Sequence, residues 1–251
     1  MKVLDVYNYI DSFAAFSSQE PWDNSGHLIG SLYNDVTKAV VCLDVSSDVI
    51  DFATGIGANL IISHHPVIFS PLKSVTAESL VFKAVMSGIS IICAHTNLDK
   101  APGGVNDALC EALSFSYEKV YVNNSPTFLN ICHIENPMTS SELSDLIRNK
   151  LSCTVSFCDS GAEITKIGIC SGAGADFIDD AINLGCDAFI TGEAKYHEFL
   201  EAKEKGISLF AVGHFESENP VIRKLAEKLN NQFNCTVFHE APFGNTVITE
   251  K

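Results

Sequence analysis

The sequence predicts an α/β fold made of two duplicated repeats with mixed, mainly parallel sheets. Short apolar runs alternate with helical segments of about 10–15 residues, and the same rhythm of elements occurs in both halves. Polar side chains also follow the apolar runs at corresponding places in the two halves. This alternation is typical of parallel strands covered by helices. We expect a first repeat over 1–125 and a second over 126–251, with terminal elements free to exchange between them.

The first half begins with an amphipathic helix over 3–16, a polar loop PWDNSG and an extended segment over 27–32. The run KAVVCLDV is rich in β-branched residues and too short for a helix, so it predicts a buried strand. Ser, Asp and Gly mark the ends of the helices that follow. The remaining strands are LIIS and ISIICAH, and the helices are SSDVIDFATGIGAN, AESLVFKAVMSG and GVNDALCEALS.

The second half repeats this pattern. Its strands are FLNICHI, TVSF, KIGIC, DAFITGE, SLFAVGH and TVFHE, and its helices are SSELSDLIRNKL, ADFIDDAINLG, KYHEFLEAKEKG and ENPVIRKLAEKLN. Laying LIISHHP over DAFITGE also lays SIICAHTNLD over SLFAVGHFESE, which indicates a duplication. Ligands of open α/β sheets bind at the carboxyl ends of the strands, so we expect a metal site at the strand ends between the repeats.

Composition limits the classes of function. Apolar residues make up 46% and charged residues 19%, a globular balance, and the formal net charge is −15. This charge argues against nucleic acid as a partner, because nucleic-acid binding needs Lys and Arg to neutralise phosphates. We expect no signal peptide and no membrane span, since no apolar run approaches about 20 residues. Nine cysteines without a C-x-x-C pair predict reduced thiols and a cytoplasmic protein.

Imidazoles and carboxylates cluster where strands end. Nitrogen and oxygen donors at such places suit a hydrolytic divalent-metal site. Adjacent residues on a strand point to opposite faces, but Pro66 ends the strand here, so both histidines before it are able to reach one cavity. The donors are His64 and His65 in LIISHHP, His95 and Asp99 in AHTNLD, and His214 and Glu218 in VGHFESE.

Several of these positions keep alternative interpretations. His95 suits a metal ligand, a partner of a ligand or a proton shuttle. Asp99 suits a turn or helix cap as well as a ligand, and Glu218 suits a carboxylate at a helix N-terminus. His197, on the helix after DAFITGE, is predicted to face the same cavity, with Glu193 as a weaker candidate.

Other histidines and cysteines are expected to be structural. His133 and His239 fall in strand patterns, and Cys93 is predicted to be a core residue facing the same way as His95. His27 is ambiguous, since the loop before it could cover the mouth of the site. There is no Gly-rich phosphate loop and no G-x-S-x-G serine-hydrolase motif in the sequence.

The chain resembles the Nif-three-like family, whose members are often named GTP cyclohydrolase I type 2 homologues. The segments that carry the resemblance are WDNSGHLIG, LIISHHPVIF, AHTNLDKAPGGVNDAL, DAFITGEAKYHEFLEA and VGHFESENPVIRKLAEKL. They span nearly the whole chain in the order and spacing of the compact family form, without its long central insertion. Two residues depart from the family pattern: His27 replaces an aliphatic residue, and Glu193 replaces Asp.

The resemblance implies two intertwined α/β repeats and a dinuclear metal centre. Its ligands would fall on His64, His65, Asp99, His214 and Glu218, which are all of the expected types. It also implies a homohexameric ring, a trimer of dimers, with the metal sites facing an internal cavity. The activity attached to the family is hydrolytic opening of the GTP imidazole ring with release of formate.

The predicted function is therefore hydrolysis by a metal-activated water, with two divalent ions per chain and His95 or His197 as a proton shuttle. The donor types suit Zn, Fe, Mn, Co or Ni. Lys100 and Lys195 are candidates to offset the charge of a triphosphate. Two other functions fit the same residues: a metal carrier or protein-interaction ring without turnover, and a metal-dependent phosphoesterase.

Overall fold

The computed structural model describes residues 1–233 and 238–242 of the 251-residue chain. The predicted strand over 236–240 is therefore described only from Phe238, and Cys235 lies outside the described residues. The chain divides into two compact units. The first comprises Met1–Ala101 and the described part of Ile222–Gly244, and the second comprises Pro102–Val221. In sequence, the first unit therefore continues to Ala101 and resumes at Ile222, while the predicted repeat boundary at 125 stays a prediction.

The first unit is built on a five-stranded sheet, with strands β1 (Gly26–Ile29), β2 (Ala39–Cys42), β3 (Leu60–Ser63), β4 (Ser90–Cys93) and β11 (Phe238–Glu240). Their order in the sheet is β1-β4-β3-β2-β11. β1 pairs antiparallel with β4, and the other three pairings are parallel. Its helices are α1 (Val3–Phe13), α2 (Ser47–Gly55), α3 (Leu80–Met86), α4 (Thr96–Lys100) and most of α10 (Pro220–Gln232).

The central strands of this sheet are buried along their whole length, as is typical of parallel strands in α/β proteins. Every residue of β2, β3 and β4 is buried. Val40, Ile61 and Ile91 form the centre of one core layer with residues of α2. The Ser46 side chain accepts a hydrogen bond from the Val49 amide and begins α2. Capping of this kind satisfies an amide that has no partner within the helix.

The second unit is built on a six-stranded sheet, with strands β5 (Tyr117–Val122), β6 (Ser125–Met138), β7 (Ser156–Cys158), β8 (Ile164–Cys170), β9 (Ala188–Thr191) and β10 (Ser208–Ala211). Their order in the sheet is β5-β6-β8-β9-β10-β7. The β8–β9 and β9–β10 pairings are parallel, and the others are antiparallel. Its helices are α5 (Val105–Ala112), α6 (Ser140–Leu151), α7 (Ile178–Asn183), α8 (Tyr196–Glu204) and α9 (His214–Glu218).

The two sheets share one topology over four strands, which confirms the predicted α/β fold with duplicated repeats. The order β1-β4-β3-β2 in the first unit matches β7-β10-β9-β8 in the second, with an antiparallel edge strand followed by three parallel strands in each. The pairing register also matches, since Cys42, Ser63 and Cys93 align across the first sheet as Cys170, Thr191 and Ala211 do across the second.

Three elements were not predicted from the sequence pattern. β5 precedes the long strand β6 and pairs with it, and the two five-residue helices α4 and α9 follow β4 and β10 after two intervening residues. The short helices escape a periodicity argument because one helical turn does not establish a 3.6-residue repeat. No helix in the described residues has the length and apolar character needed to cross a bilayer.

Candidate metal centre

His64 and His65 occupy the turn directly after β3. Their backbone amides donate to the carbonyl oxygens of Cys42 and Leu43, so the turn is fixed to the end of β2. The His64 ring donates through Nδ1–H to the Ala94 carbonyl oxygen at 2.8 Å. A carbonyl oxygen only accepts, so Nδ1 carries the proton and Nε2 carries the lone pair. His64 is buried, with 1% of its surface exposed.

The other two imidazoles of this unit are held in the same way, through Nδ1 and a carboxylate. His65 Nδ1 lies 2.8 Å from Asp44 Oδ1, and His95 Nδ1 lies 2.8 Å from Asp23 Oδ1. These contacts also direct the lone pair to Nε2. All three rings therefore have the arrangement found in metal-binding histidines, in which the ring nitrogen away from the ligand donates to an oxygen.

Asp23 is the most buried of these orienting groups, with a side chain that is 0% exposed. Its second oxygen accepts from the amide and hydroxyl of Thr96 and from the Ser25 hydroxyl. Burial alone would raise the pKa of Asp23, but the hydrogen bonds from His95 and Thr96 outweigh burial and hold the pKa well below its usual range. Asp23 is therefore a fixed carboxylate that orients His95 at the start of α4.

The three imidazoles form one cluster. One ring nitrogen from each of His64, His65 and His95 lies within 4.8 Å of the other two, a spacing able to hold a metal ion. The ring centroids are 5.0 to 5.5 Å apart. Asp99, on α4, adds a buried carboxylate, with Oδ1 3.5 Å from His64 Nε2. Imidazole and carboxylate donors suit a divalent transition metal, so the residues of the first unit fit the implied ion.

The second unit holds its donors on α9. His214 Nε2 lies 3.2 Å from Glu218 Oε2, one helical turn away, and His214 Nδ1 lies 3.3 Å from Glu193 Oε1. Residues at i and i+4 share a helix face, which is why the two α9 side chains meet. Glu218 is 4% exposed, whereas the Glu193 side chain is 60% exposed. An imidazole and a buried carboxylate on one face are suitable ligands for a single ion.

Two glycines make room for this pair. A Cβ built on Gly172, after β8, would touch the Glu218 carboxylate, and Gly172 has φ +60°, which favours glycine. A Cβ on Gly192, after β9, would lie 2.6 Å from both the Gly172 carbonyl oxygen and Ser217 Oγ. The Gly172 amide donates to Ser217 Oγ at 3.0 Å, so both strand ends close directly onto α9. The absence of side chains at Gly172 and Gly192 therefore allows α9 to lie close to both strand ends.

A cavity of about 540 Å³ lies within the second unit beside these strand ends. Glu193, Glu198 and Asp176 line it together with Lys195, so carboxylates outnumber the lysine. His197 lines a smaller cavity of about 210 Å³ and has an exposed side chain. No group of three potential ligands found among the described residues contains His197. A role for His197 as a proton shuttle stays a prediction.

The remaining predicted positions have other surroundings. Cys93 is buried, its thiol donates to the His64 carbonyl oxygen at 3.0 Å, and burial raises its pKa strongly. His133 is exposed on β6 and lies 3.6 Å from Glu118, away from a core. His27 is half-buried on β1, and burial lowers its pKa. The side chain of His239 is outside the described residues.

Sequence reasoning did not single out the orienting groups Asp23, Asp44 and the Ala94 carbonyl. Asp23 lies in the polar loop PWDNSG, about 70 residues before the histidine it holds, and no local spacing connects the two. The only signal was the inclusion of this loop among the segments that resemble the Nif-three-like family. Asp44 is the next-to-last residue of the run KAVVCLDV, and its position is that of an ordinary strand end.

The fold and the donors define an α/β protein with imidazoles fixed at strand ends and a candidate metal site. The chain belongs to the Duf34/NIF3 (NGG1p interacting factor 3) family, which it matches over residues 1–242. This confirms the resemblance found in the sequence.

Similar proteins cover most or all of the chain. A GTP cyclohydrolase 1 type 2 homolog of Clostridium perfringens is 34% identical over 247 residues, which are 94% of each chain. A protein of the same description from Campylobacter jejuni is 34% identical over 238 residues, 92% of this chain and 93% of its own. The crystal structure of a Staphylococcus aureus hypothetical protein has a TM-score of 0.92 at 27% identity and covers 100% of this chain and 99% of its own.

Proposed function

We propose that this chain is a hydrolase that depends on divalent metal ions, with His64, His65, Asp99, His214 and Glu218 as the ligands of two ions. The observation that carries the proposal is that His64, His65 and His95 all have Nδ1 fixed by an oxygen acceptor. Three neighbouring rings with the same fixed tautomer are the arrangement expected of metal ligands and their partners.

The residues of the chain divide the chemical work. A bound divalent ion would supply a Lewis acid that lowers the pKa of water towards about 7. His95 would accept the proton of the attacking water at Nε2, while Asp23 keeps the proton on Nδ1 and holds the ring in place. The developing imidazolium would be stabilised by the Asp23 carboxylate, as in other His–Asp pairs.

We take GTP as the first substrate to test, because the similar proteins of Clostridium perfringens and Campylobacter jejuni are both described as GTP cyclohydrolase 1 type 2 homologs. The reaction would be hydrolysis at C8 of the purine with release of formate. His197 is a second proposed proton shuttle.

We further propose a cytoplasmic homohexamer with a small-molecule substrate. Reduced thiols would fit that compartment, and no disulfide joins the cysteines in the described residues.

The first experiment is elemental analysis of the purified protein, of His64→Ala/His214→Ala and of His133→Ala. The last variant removes an exposed imidazole on β6 and controls for nonspecific binding by histidine. We expect about two ions per chain in the wild type and in the control, and a loss in the double variant. A wild-type chain that stays empty after incubation with Zn, Mn or Fe would contradict the proposal.

A loaded protein is then assayed with GTP for both formate and inorganic phosphate. Formate release supports ring opening, and phosphate release would instead assign phosphoester hydrolysis to the same residues, since paired ions also suit that reaction. Full metal loading with neither product would favour a metal carrier or an interaction ring. The His95→Gln variant should bind metal and lose turnover if His95 moves the proton.

A further inference from the structure

Two exposed aromatic rings stand beside His95 in the first unit. The Trp22 side chain is 58% exposed and Phe69 is 53% exposed, although both belong to residue types that are normally well buried. Their ring centroids are 5.9 Å apart with planes inclined by 45°. The centroid of the His95 ring lies 6.2 Å from Trp22 and 6.5 Å from Phe69. The three rings thus lie close together as one cluster.

The exposure of these rings does not come from loose loops. The side chain of Asp23, the residue after Trp22, is fully buried and fixed to His95 and Thr96. Asn24 Nδ2 donates to the Ile68 carbonyl oxygen at 2.6 Å, which ties the Trp22 loop to the residue before Phe69. Both aromatic side chains are therefore attached to backbone that hydrogen bonds hold in place. Preorganised aromatic groups lose little conformational entropy when a ligand binds.

We propose that Trp22 and Phe69 form a stacking site for a flat heteroaromatic ring, such as a purine base, and present that ring to His95. The inference rests on the proposed function and assigns the recognition of its substrate. Aromatic faces bind the face of any nucleobase by stacking. Stacking does not require a cation to neutralise the phosphates of the ligand. Lys100, the cation on α4, already lies 2.7 Å from Glu20. Affinity in this unit would come from the ring of the ligand more than from its phosphates.

A second copy of the chain is the competing occupant. Leu72 and Val75, in the same segment as Phe69, are also about half exposed, so a subunit interface could cover all of these side chains. The two occupants predict different measurements. A stacking site responds to a small planar ligand, whereas an interface responds to protein concentration and changes the molecular mass.

Trp22 is the single tryptophan of the chain, so its fluorescence reports on this position alone. The purified protein is titrated with guanosine, GTP and inorganic tripolyphosphate, which separate the base from the phosphates. We expect saturable quenching by guanosine and GTP and none by tripolyphosphate. Phe69→Ala should weaken guanosine binding by about 5- to 100-fold, the range for loss of one stacked aromatic ring. Tyr33→Ala, which removes an aromatic ring that is 73% exposed elsewhere in this unit, should leave binding unchanged.

Calorimetry with guanosine on Trp22→Ala provides a readout without tryptophan and should show a loss of similar size. The inference is overturned if neither guanosine nor GTP gives saturable quenching, or if tripolyphosphate quenches as strongly as GTP. It is also overturned if Phe69→Ala lowers the mass in light scattering and leaves guanosine binding intact. Metal-loaded protein without guanosine binding would refute only this inference, and guanosine binding by a chain that takes up no metal would refute only the metal-dependent reaction.

Discussion

The strand ends of the first unit carry imidazoles and a carboxylate, whereas the matching strand ends of the second unit carry glycines. From the shared register, His64 corresponds to Gly192 and Asp44 corresponds to Gly172. The first unit therefore presents its donors from the turns after the strands. The second unit has glycines at two of these positions, which lets the turns close onto α9 with its His214 and Glu218. Glu193, at the position that matches His65, lies 3.3 Å from His214. One topology thus supports two ways of placing candidate ligands.

The two His-x-x-x-acid segments also differ in position by one residue. His95 is the second residue after β4 and the N-cap of α4, but the second residue after β10 is Gly213. His214 falls one place later, inside the first turn of α9. As a result His214 meets its own helix partner Glu218, whereas Asp99 lies beside His64 of another strand end. Equal spacing in sequence therefore produced different pairings.

The largest expected effect tests the role of glycine in the second unit. Gly192→Ala places a methyl group 2.6 Å from a backbone oxygen that has little freedom to move, so we expect a loss of about 1–3 kcal/mol of unfolding free energy. Gly55→Ala, in α2 of the first unit, meets nothing within 4 Å and should stabilise the protein by about 0.5 kcal/mol. Urea unfolding measures both. Equal stabilities would show that the close approach to α9 is not needed.

The next effect concerns the carboxylates that orient the imidazoles of the first unit. Asp23→Asn leaves an amide facing the donors of Thr96 and removes the charge behind His95, so we expect about a 10- to 100-fold loss of Zn²⁺ affinity. Asp44→Asn is the matched change beside His65, with a side chain that is 65% exposed, and should cost less. Calorimetric titration of both variants with Zn²⁺ measures the two losses of affinity. Identical losses would mean that burial of Asp23 has no special role.

A smaller effect distinguishes the lysines of the two units. The Lys195 side chain is 78% exposed and borders the cavity of the second unit, whereas Lys100 is 14% exposed and paired with Glu20. We expect Lys195→Ala to weaken GTP binding by about 2- to 5-fold, the size of an exposed charge interaction. Lys100→Ala should leave GTP affinity unchanged. If neither change alters the affinity, the lysines do not bind the phosphates.

The smallest expected effect concerns the two antiparallel edge strands, β1 and β7. His27 on β1 lies opposite Ile92, and at the corresponding place Phe157 on β7 stacks on Phe210 with centroids 5.3 Å apart. Burial lowers the pKa of His27 in the folded protein, so the unfolded chain binds the proton first and stability falls as the pH drops below about 6.5.

His27→Leu removes that proton and should flatten the dependence of unfolding free energy between pH 7 and pH 5, by on the order of 0.5 kcal/mol. His133→Leu, at an exposed position, is the control. Urea unfolding at both pH values measures the difference. An unchanged slope in His27→Leu would show that other groups cause the loss of stability in acid.

Much of the fold was determined by the sequence alone. The apolar runs over β2, β3, β4, β9 and β10 predicted buried parallel strands because only residues covered on both faces are apolar throughout. The duplication was visible because similar apolar strands precede the pair His64-His65 in the first half and the pair Gly192-Glu193 in the second half. The histidines at strand ends were also predictable, since chain polarity places the carboxyl ends of parallel strands at one edge of a sheet.

Tertiary structure decided the partners of each donor. Asp23 reaches His95 from a loop about 70 residues earlier, and the Ala94 carbonyl fixes the His64 tautomer from the neighbouring strand. Such contacts depend on strand order and on the register of one residue, which a single sequence does not encode in its local spacing. His214 also lies one residue further from the end of its strand than His95 does, and only the register of the two sheets reveals this offset. The sequence thus determined which imidazoles and carboxylates lie at strand ends. The packing of the strand ends against short helices determined which of these side chains contact each other.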